Sequence, residues 1–344
     1  MWITSSCKTA LTPTAVALGN FDGVHRGHRQ VLSPVLPRIG QSGPIEGVSD
    51  TQASSVPHLY PTVVTFNPHP QEFFTGQPRK LLTPHKEKVE LLRSMGIQQL
   101  VLLPFDRELA ALTPTEFVER ILIEQLQAKQ ISVGFDFRFG EGRRGDATDL
   151  QRIAGTYGIE VTIVPLYRVA GERISSSLIR EALQQGDIET VNQGLGRPYQ
   201  LEGVVVKGQQ LGRTLGFPTA NLQVPGEKFL PQFGVYAVQV VPAPGGFDSE
   251  DKEPFPLPIT PVVQVKSPWM GVMNIGCRPT VAGKQPTLEV HLLDWQGDLY
   301  GKTLEVQLQQ FLRPEQKFAS LEALKAQIER DCATARAILC PSFS

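Results

Sequence analysis

The stretch LGNFDGVHRGHR, Leu18 to Arg29, joins an apolar run to a helix start. Thr14 to Leu18 reads as a buried strand. It breaks at Gly19, turns through Asn20, Phe21, Asp22 and Gly23, and presents His25 and His28 with Gly27 between them. Residues spaced i and i+3 share one face of a helix. The free N–H groups and dipole of a helix start favour anions, and two imidazoles add donors that are neutral or charged near pH 7. The pattern suggests a phosphate site without a lysine; a Gly-rich turn carrying two exposed histidines is the plainer reading of the same residues.

From Thr14 to about Gly186, short β-rich runs alternate with helical patterns, which is how a parallel sheet covered by helices is written in sequence. Strands are expected at Ala15 to Leu18, Pro61 to Phe66, Gln99 to Leu103, Ile131 to Phe135 and Glu160 to Val164. Thr83 and Pro84 are expected to open a helix that Gly96 stops, and Thr113 to Glu116 to form a capping box. Polar clusters follow every strand: the histidine stretch, then Asn67-Pro68-His69-Pro70, Asp106-Arg107, Asp136-Phe137-Arg138-Phe139-Gly140, and the segment Ile174 to Arg180. All lie beyond carboxyl ends, the edge of an open parallel sheet where ligands bind. Ser176 is expected to cap a helix over Ser177 to Gln185, with Arg180 one turn inside. The GxGxxG match at Gly140 to Gly145 follows the fourth strand rather than the first, so it reads as a basic loop and not as a dinucleotide fingerprint.

After Gly186 a period near two takes over, at Leu201 to Lys207, Gly234 to Val241, Met270 to Ile275, Leu288 to Leu293 and Leu304 to Leu308. This pattern points to an antiparallel sheet or small barrel. Phe318, Leu321, Leu324, Ile328 and Cys332 recur at helical spacing behind Ser320, so a terminal helix is expected to pack on it. Ile39 to His58 and Val241 to Ser267 read as surface insertions. The expected organisation is therefore two domains, 1–186 and 187–344, in a chain of 344 residues.

Two stretches of the second half could carry chemistry. In Leu211 to Leu222, Gly212 and Gly216 let backbone approach a phosphate chain beside Arg213, and Thr219 with Asn221 offers hard oxygen ligands two positions apart. Spacing alone leaves this as either a phosphate loop or a plain turn. Glu289 and His291 face away from Leu288, Val290 and Leu292 along one strand. Such alternation is typical of a half-exposed strand, and beside a phosphate loop the same carboxylate would suit a general base.

A formal net charge of -1 with 19% charged residues gives no electrostatic case for a nucleic-acid or membrane partner. No apolar run nears the ~18 residues of a membrane span, and MWITSSCKTA lacks the order of a signal peptide. Cys7, Cys277, Cys332 and Cys340 include no CxxC pair, which suits a reducing, cytoplasmic setting without a zinc site.

GNFDGVHRGH, TFNPHP, GFDFRFG and ISSSLIR, in this order, resemble the blocks of the HxGH nucleotidyltransferases in the form carried by bifunctional flavokinase/FAD synthetases. GRTLGFPTANL, FGVYAV, GVMNIGCRPT and LEVHLLDWQGDLYG are similar to the blocks of that family's riboflavin kinase domain. The resemblance covers about Thr14 to Asp331 apart from the two insertions. It implies an N-terminal Rossmann-like nucleotidyltransferase domain of α/β class and a C-terminal antiparallel β-barrel kinase domain. By this resemblance ATP phosphorylates riboflavin to FMN, and a second ATP adenylylates FMN to FAD with release of pyrophosphate.

The implied catalytic residues are His25, His28, Arg180 and Glu289. Gly19, Phe21, Asp22, Gly23, Ser176, Gly212, Arg213, Gly216, Thr219, Asn221 and Tyr236 are implied around ATP, and Asn67, His69, Pro70, Asp136, Phe137, Arg138 and Phe139 around flavin. Mg²⁺ is implied at Thr219 and Asn221. The implied partners are the small molecules riboflavin, FMN, FAD and ATP, with homo-oligomerisation left open. Two rivals stand beside this reading: a nucleotidyltransferase for another phosphorylated acceptor, and a flavin-binding protein that keeps one activity or neither.

Overall fold

A computed structural model describes residues 1–37, 58–169, 171–208, 212, 215–243, 268–280 and 283–340. Most of both expected insertions, together with Arg213, lies outside them. Contacts divide the chain into two compact units, Met1–Ser176 and Ser177–Ser344.

The first unit contains β1 (Trp2–Thr4), β2 (Thr14–Leu18), β3 (Tyr60–Asn67), β4 (Gln99–Pro104), β5 (Ala128–Gly134), the hairpin pair β6 (Arg138–Phe139) and β7 (Gly145–Asp146), β8 (Glu160–Val164), and the pair β9 (Arg168–Val169) and β10 (Glu172–Arg173). Six of these form one parallel sheet in the order β1-β4-β3-β2-β5-β8. Val16 and Leu18 enter one apolar core while Ala15 and Ala17 enter the other. Alternate side chains of β2 thus leave opposite faces, and burial on both faces is what makes a parallel strand read as a continuous apolar run. The chain runs from β2 to β3 on one side and later to β5 on the other, so strand order reverses at the carboxyl end of β2. In open sheets that crevice is the ligand position, and the residues arriving there are Gly19 to His28.

All five expected strands are present. The edge strand β1 was not anticipated, because three residues carry no readable period. Two helix starts differ from expectation. Pro84, not Thr83, stands at the cap of helix His85–Ser94, since Thr83 is buried with its backbone N–H committed to Asp22. Helix Ser176–Gln185 begins at Ser176 itself, whose hydroxyl donates to the Asp22 carbonyl at 2.7 Å rather than capping.

The second unit holds β11 (Tyr199–Val206), β12 (Ala220–Gln223), β13 (Gly234–Pro242), β14 (Trp269–Thr280), β15 (Gly283–Leu292) and β16 (Thr303–Pro314), closed as an antiparallel barrel in the order β11-β12-β15-β14-β13-β16. Closure removes the unpaired edges that an open sheet would expose. Helix Leu321–Leu339 is capped by the Ser320 side chain and lays Cys332 and Ala335 against Val235, Ala237 and Val272. Arg313 of β16 grips Asp331 of this helix at 2.8 Å, with both side chains largely buried. Strand β12 and helix Ile188–Leu195 were not anticipated; β12 is a short polar run embedded in what reads as a phosphate loop.

Candidate functional site

His25 is the cap residue of helix Arg26–Leu32, and its Nδ1 accepts the His28 backbone N–H at 3.2 Å. The two imidazoles stack with centroids 3.6 Å apart and planes 14° from parallel, which fixes both rings as one unit. Gly27 makes this fold-back feasible, because a Cβ there would lie 3.2 Å from the His25 ring. The loop before the helix is held in a conformation few residues adopt. Phe21 and Val24 have φ of 48° and 42°, positive values that are unfavourable for a bulky or β-branched residue and persist only when surroundings over-determine them.

Those surroundings come from distant segments. Asp22 Oδ1 accepts the backbone N–H groups of Leu82 at 2.8 Å and Thr83 at 3.2 Å. The Asn20 carbonyl accepts from Thr65 Oγ1 at 3.1 Å and from Lys88 Nζ at 3.0 Å. A lysine is therefore present at this site, supplied by a helix well downstream of the motif. Burial pushes the Lys88 ammonium below the usual lysine range, and the Asp22 carboxylate draws it back up.

Along the same sheet edge, His69 caps helix Pro70–Thr75, with Nδ1 accepting from Gln71 N at 3.1 Å. Burial, reinforced by Arg79, pushes the His69 imidazole down to about 4 against the opposing pull of Asp22 and Glu72. The ring is neutral at pH 7, and because Nδ1 accepts, Nε2 carries the proton. Asn67 is exposed at the end of β3. Phe66, Phe73 and Phe74 surround Phe105 edge to face at 5.4 to 5.8 Å, and Phe74 is 69% exposed. Asp136 pairs with Arg173, and Arg138 with Asp146. Arg180 belongs to the second unit, with its guanidinium 4.7 Å from the Phe229 ring centre.

In the barrel, strand pairing assembles a polar row on the outer face. Asn221 of β12 stands opposite Glu289 of β15, which stands opposite Asn274 of β14. Leu288, Val290 and Leu292 are buried while Glu289 and His291 are half-buried, as the alternation predicts. The preceding loop is packed closely against these groups. A Cβ at Gly208 would lie 2.2 Å from the Asn221 side chain, and one at Gly212 would lie 2.4 Å from the Phe217 carbonyl and 3.3 Å from Thr219 Oγ1. His291 Nδ1 donates to the Pro218 carbonyl at 2.9 Å. Beside it opens a cleft of about 490 Å³ lined by Gly216, Pro218, His291, Leu292, Asp294, Trp295 and Gln296.

Two family models match the chain, FAD synthetase over residues 7–178 and riboflavin kinase over residues 195–339. The chain is 41% identical over 322 residues to the bifunctional riboflavin kinase/FMN adenylyltransferase of Escherichia coli, covering 93% of this chain and 91% of that one. It is 39% identical to the Pseudomonas fluorescens protein of the same name, covering 94% and 93%. The chain belongs to the bifunctional riboflavin kinase/FMN adenylyltransferase family. A relative from Bacillus subtilis is 32% identical, covering 94% and 92%. A crystal structure described as a macrolide-efflux protein from Streptococcus pneumoniae superposes with a TM-score of 0.76 at 28% identity, covering 97% of this chain and 98% of that one. Among the described residues of this chain no helix is long and apolar enough to cross a membrane.

Membership of the riboflavin kinase/FMN adenylyltransferase family gives the chain both activities, with the parallel-sheet half matching FAD synthetase and the barrel half matching riboflavin kinase. Riboflavin, FMN and ATP are its small-molecule substrates. Four of the residues implied around the ligands are buried. Phe21 and Phe139 are packed into the two cores, and the Asp22 Oδ1 is committed to backbone N–H groups. Tyr236 is fully buried, with its hydroxyl on the Gln232 carbonyl. Burial also raises the Tyr236 phenol far above its usual range. Lys88 and Phe105 escaped the sequence reading, since a lysine or phenylalanine at helical or strand spacing looks like ordinary surface or core.

Proposed function

We propose that adenylyl transfer to FMN runs on His25 and His28, and phosphorylation of riboflavin on Glu289. The observation that carries the first assignment is the imidazole stack at the reversal of strand order. The ATP phosphates would lie against the two rings, with Gly19 and Gly23 allowing backbone to approach and Ser176 anchored beside them. An oxygen of the FMN phosphate attacks the α-phosphorus, the bond to pyrophosphate breaks, and the imidazoles neutralise the charge that leaves. Positioning and charge stabilisation carry this step, and no protein nucleophile is needed. On the flavin side, Asn67 and the Nε2–H of His69 would meet polar edges, and the Pro70 ring would pack against an apolar one. Asp136, Phe137 and Arg138 would close around the ring, and the Phe105 cluster offers an aromatic face for stacking.

In the barrel, Glu289 would draw the proton from the riboflavin 5′-hydroxyl as that hydroxyl oxygen attacks the γ-phosphorus of ATP, the bond to the β–γ bridging oxygen breaks, and ADP leaves. The nucleotide would enter the cleft along Gly216 and Trp295. Thr219 and Asn221 fit a Mg²⁺ ion. Both present hard oxygens, Gly208 and Gly212 leave a cradle that a Cβ would fill, and the remaining ligands would come from ATP phosphates. Bound there, the ion neutralises phosphate charge. The boundary between the two activities falls within Ser176 to Gly186. Free Cys7, Cys277, Cys332 and Cys340 support a cytoplasmic setting.

The test is chromatography of products formed from riboflavin, ATP and Mg²⁺. The parent should yield FMN and FAD, His28→Ala only FMN, and Glu289→Ala neither unless FMN is added. Should His28→Ala make FAD at the parental rate, the histidine assignment is withdrawn. Flavin binding without ATP use by the parent would favour the binding-protein rival.

A further inference from the structure

We propose that Lys88 is a positioning residue for adenylyl transfer, pinning the loop that carries His25 and His28 through its bond to the Asn20 carbonyl. The inference rests on the assignment of the ATP phosphates to those histidines. Lys88 lies in helix His85–Ser94 and is only 4% exposed, so its ammonium does not reach a ligand. A buried ammonium is expensive unless hydrogen-bonded and paired. Here it has the Asn20 carbonyl at 3.0 Å, and the Asp22 carboxylate acts on it as the nearby opposite charge.

The bonded atom indicates what the lysine does. The Asn20 carbonyl belongs to the peptide that leads into Phe21, the first of the loop's two non-glycine residues at positive φ, with Val24 the second. A loop of this kind relaxes unless its peptides are fixed from outside. Two tethers close on Asp22, one from Leu82 and Thr83 and one from Ser176; Lys88, together with Thr65, supplies the tether at Asn20. Losing it would free the entrance of the loop, and the helix start with its stacked rings would lose its set position. The sequence gives no hint of this, because Lys88 sits among charged residues of a helix that otherwise resembles a solvated face.

Two substitutions test the proposal, with the urea unfolding midpoint of the whole chain as the folding control. Lys88→Met keeps the apolar stem and removes the donor, and Lys88→Gln keeps a neutral donor of shorter reach. Lys88→Met should lower kcat for FAD formation by about 100-fold, the size expected when a reacting group is misplaced by about 1 Å. KM for FMN should stay within about twofold. Lys88→Gln should recover about tenfold of that loss, which a purely volumetric role would not produce.

The proposal is overturned if Lys88→Met, folded by that control, makes FAD within about threefold of the parental rate. Equal losses in both variants also overturn it. His28→Ala is run in parallel: full FAD synthesis there would remove the histidine assignment itself, an outcome separate from failure of the lysine variants.

Discussion

The two candidate sites are built in opposite ways. In the parallel-sheet unit His25 and His28 come from one short stretch, and their mutual geometry is set by a helix cap and a ring stack. In the barrel Asn221, Glu289 and Asn274 are remote in sequence and meet only because three strands pair in register. The first site concentrates its reactive groups and borrows its rigidity from afar, through Leu82, Thr83, Lys88 and Ser176. The second disperses its groups and takes its rigidity from the sheet itself. A residue slip in any of those strands would turn the row to the other face. Strain reflects the same contrast. The histidine loop carries two non-glycine residues at positive φ, whereas the described part of the barrel loop turns with glycine, Gly216 at φ 88°.

Three changes probe that contrast. Gly208→Ala should have the largest effect. Its Cβ would fall 2.2 Å from Asn221 Nδ2, and because β12 cannot shift without breaking register, the carboxamide itself must move. Riboflavin phosphorylation should drop by about 100-fold while FAD synthesis from added FMN continues, measured as separate initial rates. Phosphorylation within about threefold of the parental rate would show that the loop, not the Asn221 carboxamide, yields.

Gly27→Ala is expected to act more gently, since its Cβ meets the His25 ring at 3.2 Å and a side chain can yield by a few tenths of an ångström. FAD formation should fall by about tenfold. Thermal stability should hold or rise, because alanine within a helix is favoured over glycine by about 0.5–1 kcal/mol. An unchanged FAD rate would show that the stack tolerates displacement and is not what positions the rings.

The smallest effect concerns pH. The folded chain holds the His69 imidazole down to about 4, below its ordinary 6.5, so the unfolded chain binds the extra proton between those values. The stability tied to neutral His69 is fully present above pH 6.5 and is lost as pH falls through the folded value. His69→Gln should flatten the dependence of the urea midpoint across that window, and a curve parallel to the parent would contradict the buried-imidazole account.

Much of this architecture was legible in sequence. The five long strands of the first unit announced themselves as β-rich runs, because burial on both faces keeps most of their positions apolar or Thr. Alternation likewise exposed the longer barrel strands and the outward direction of Glu289. What escaped was short or relational. β1 and β12 are too brief to show a period, and β12 hides inside a stretch that also satisfies a loop. Lys88 became visible only when its helix was folded under the Asn20 peptide, and the partnership of Asn221 with Glu289 only when the strands were paired. The burial of Tyr236 is relational in the same way: strand alternation turns its side chain into the barrel interior once β13 is paired with β14.

The barrel cleft carries its own optical label. Of the chain's three tryptophans, Trp295 lines the cleft and Trp269 lies against it, with ring centres 5.5 Å apart and planes tilted by 49°. Two indoles that close and held at an angle should couple their strong transitions and give a far-ultraviolet circular dichroism couplet. Filling or closing the cleft would change that signal, so occupancy of one half of the enzyme could be followed in the unlabelled protein with a spectrometer.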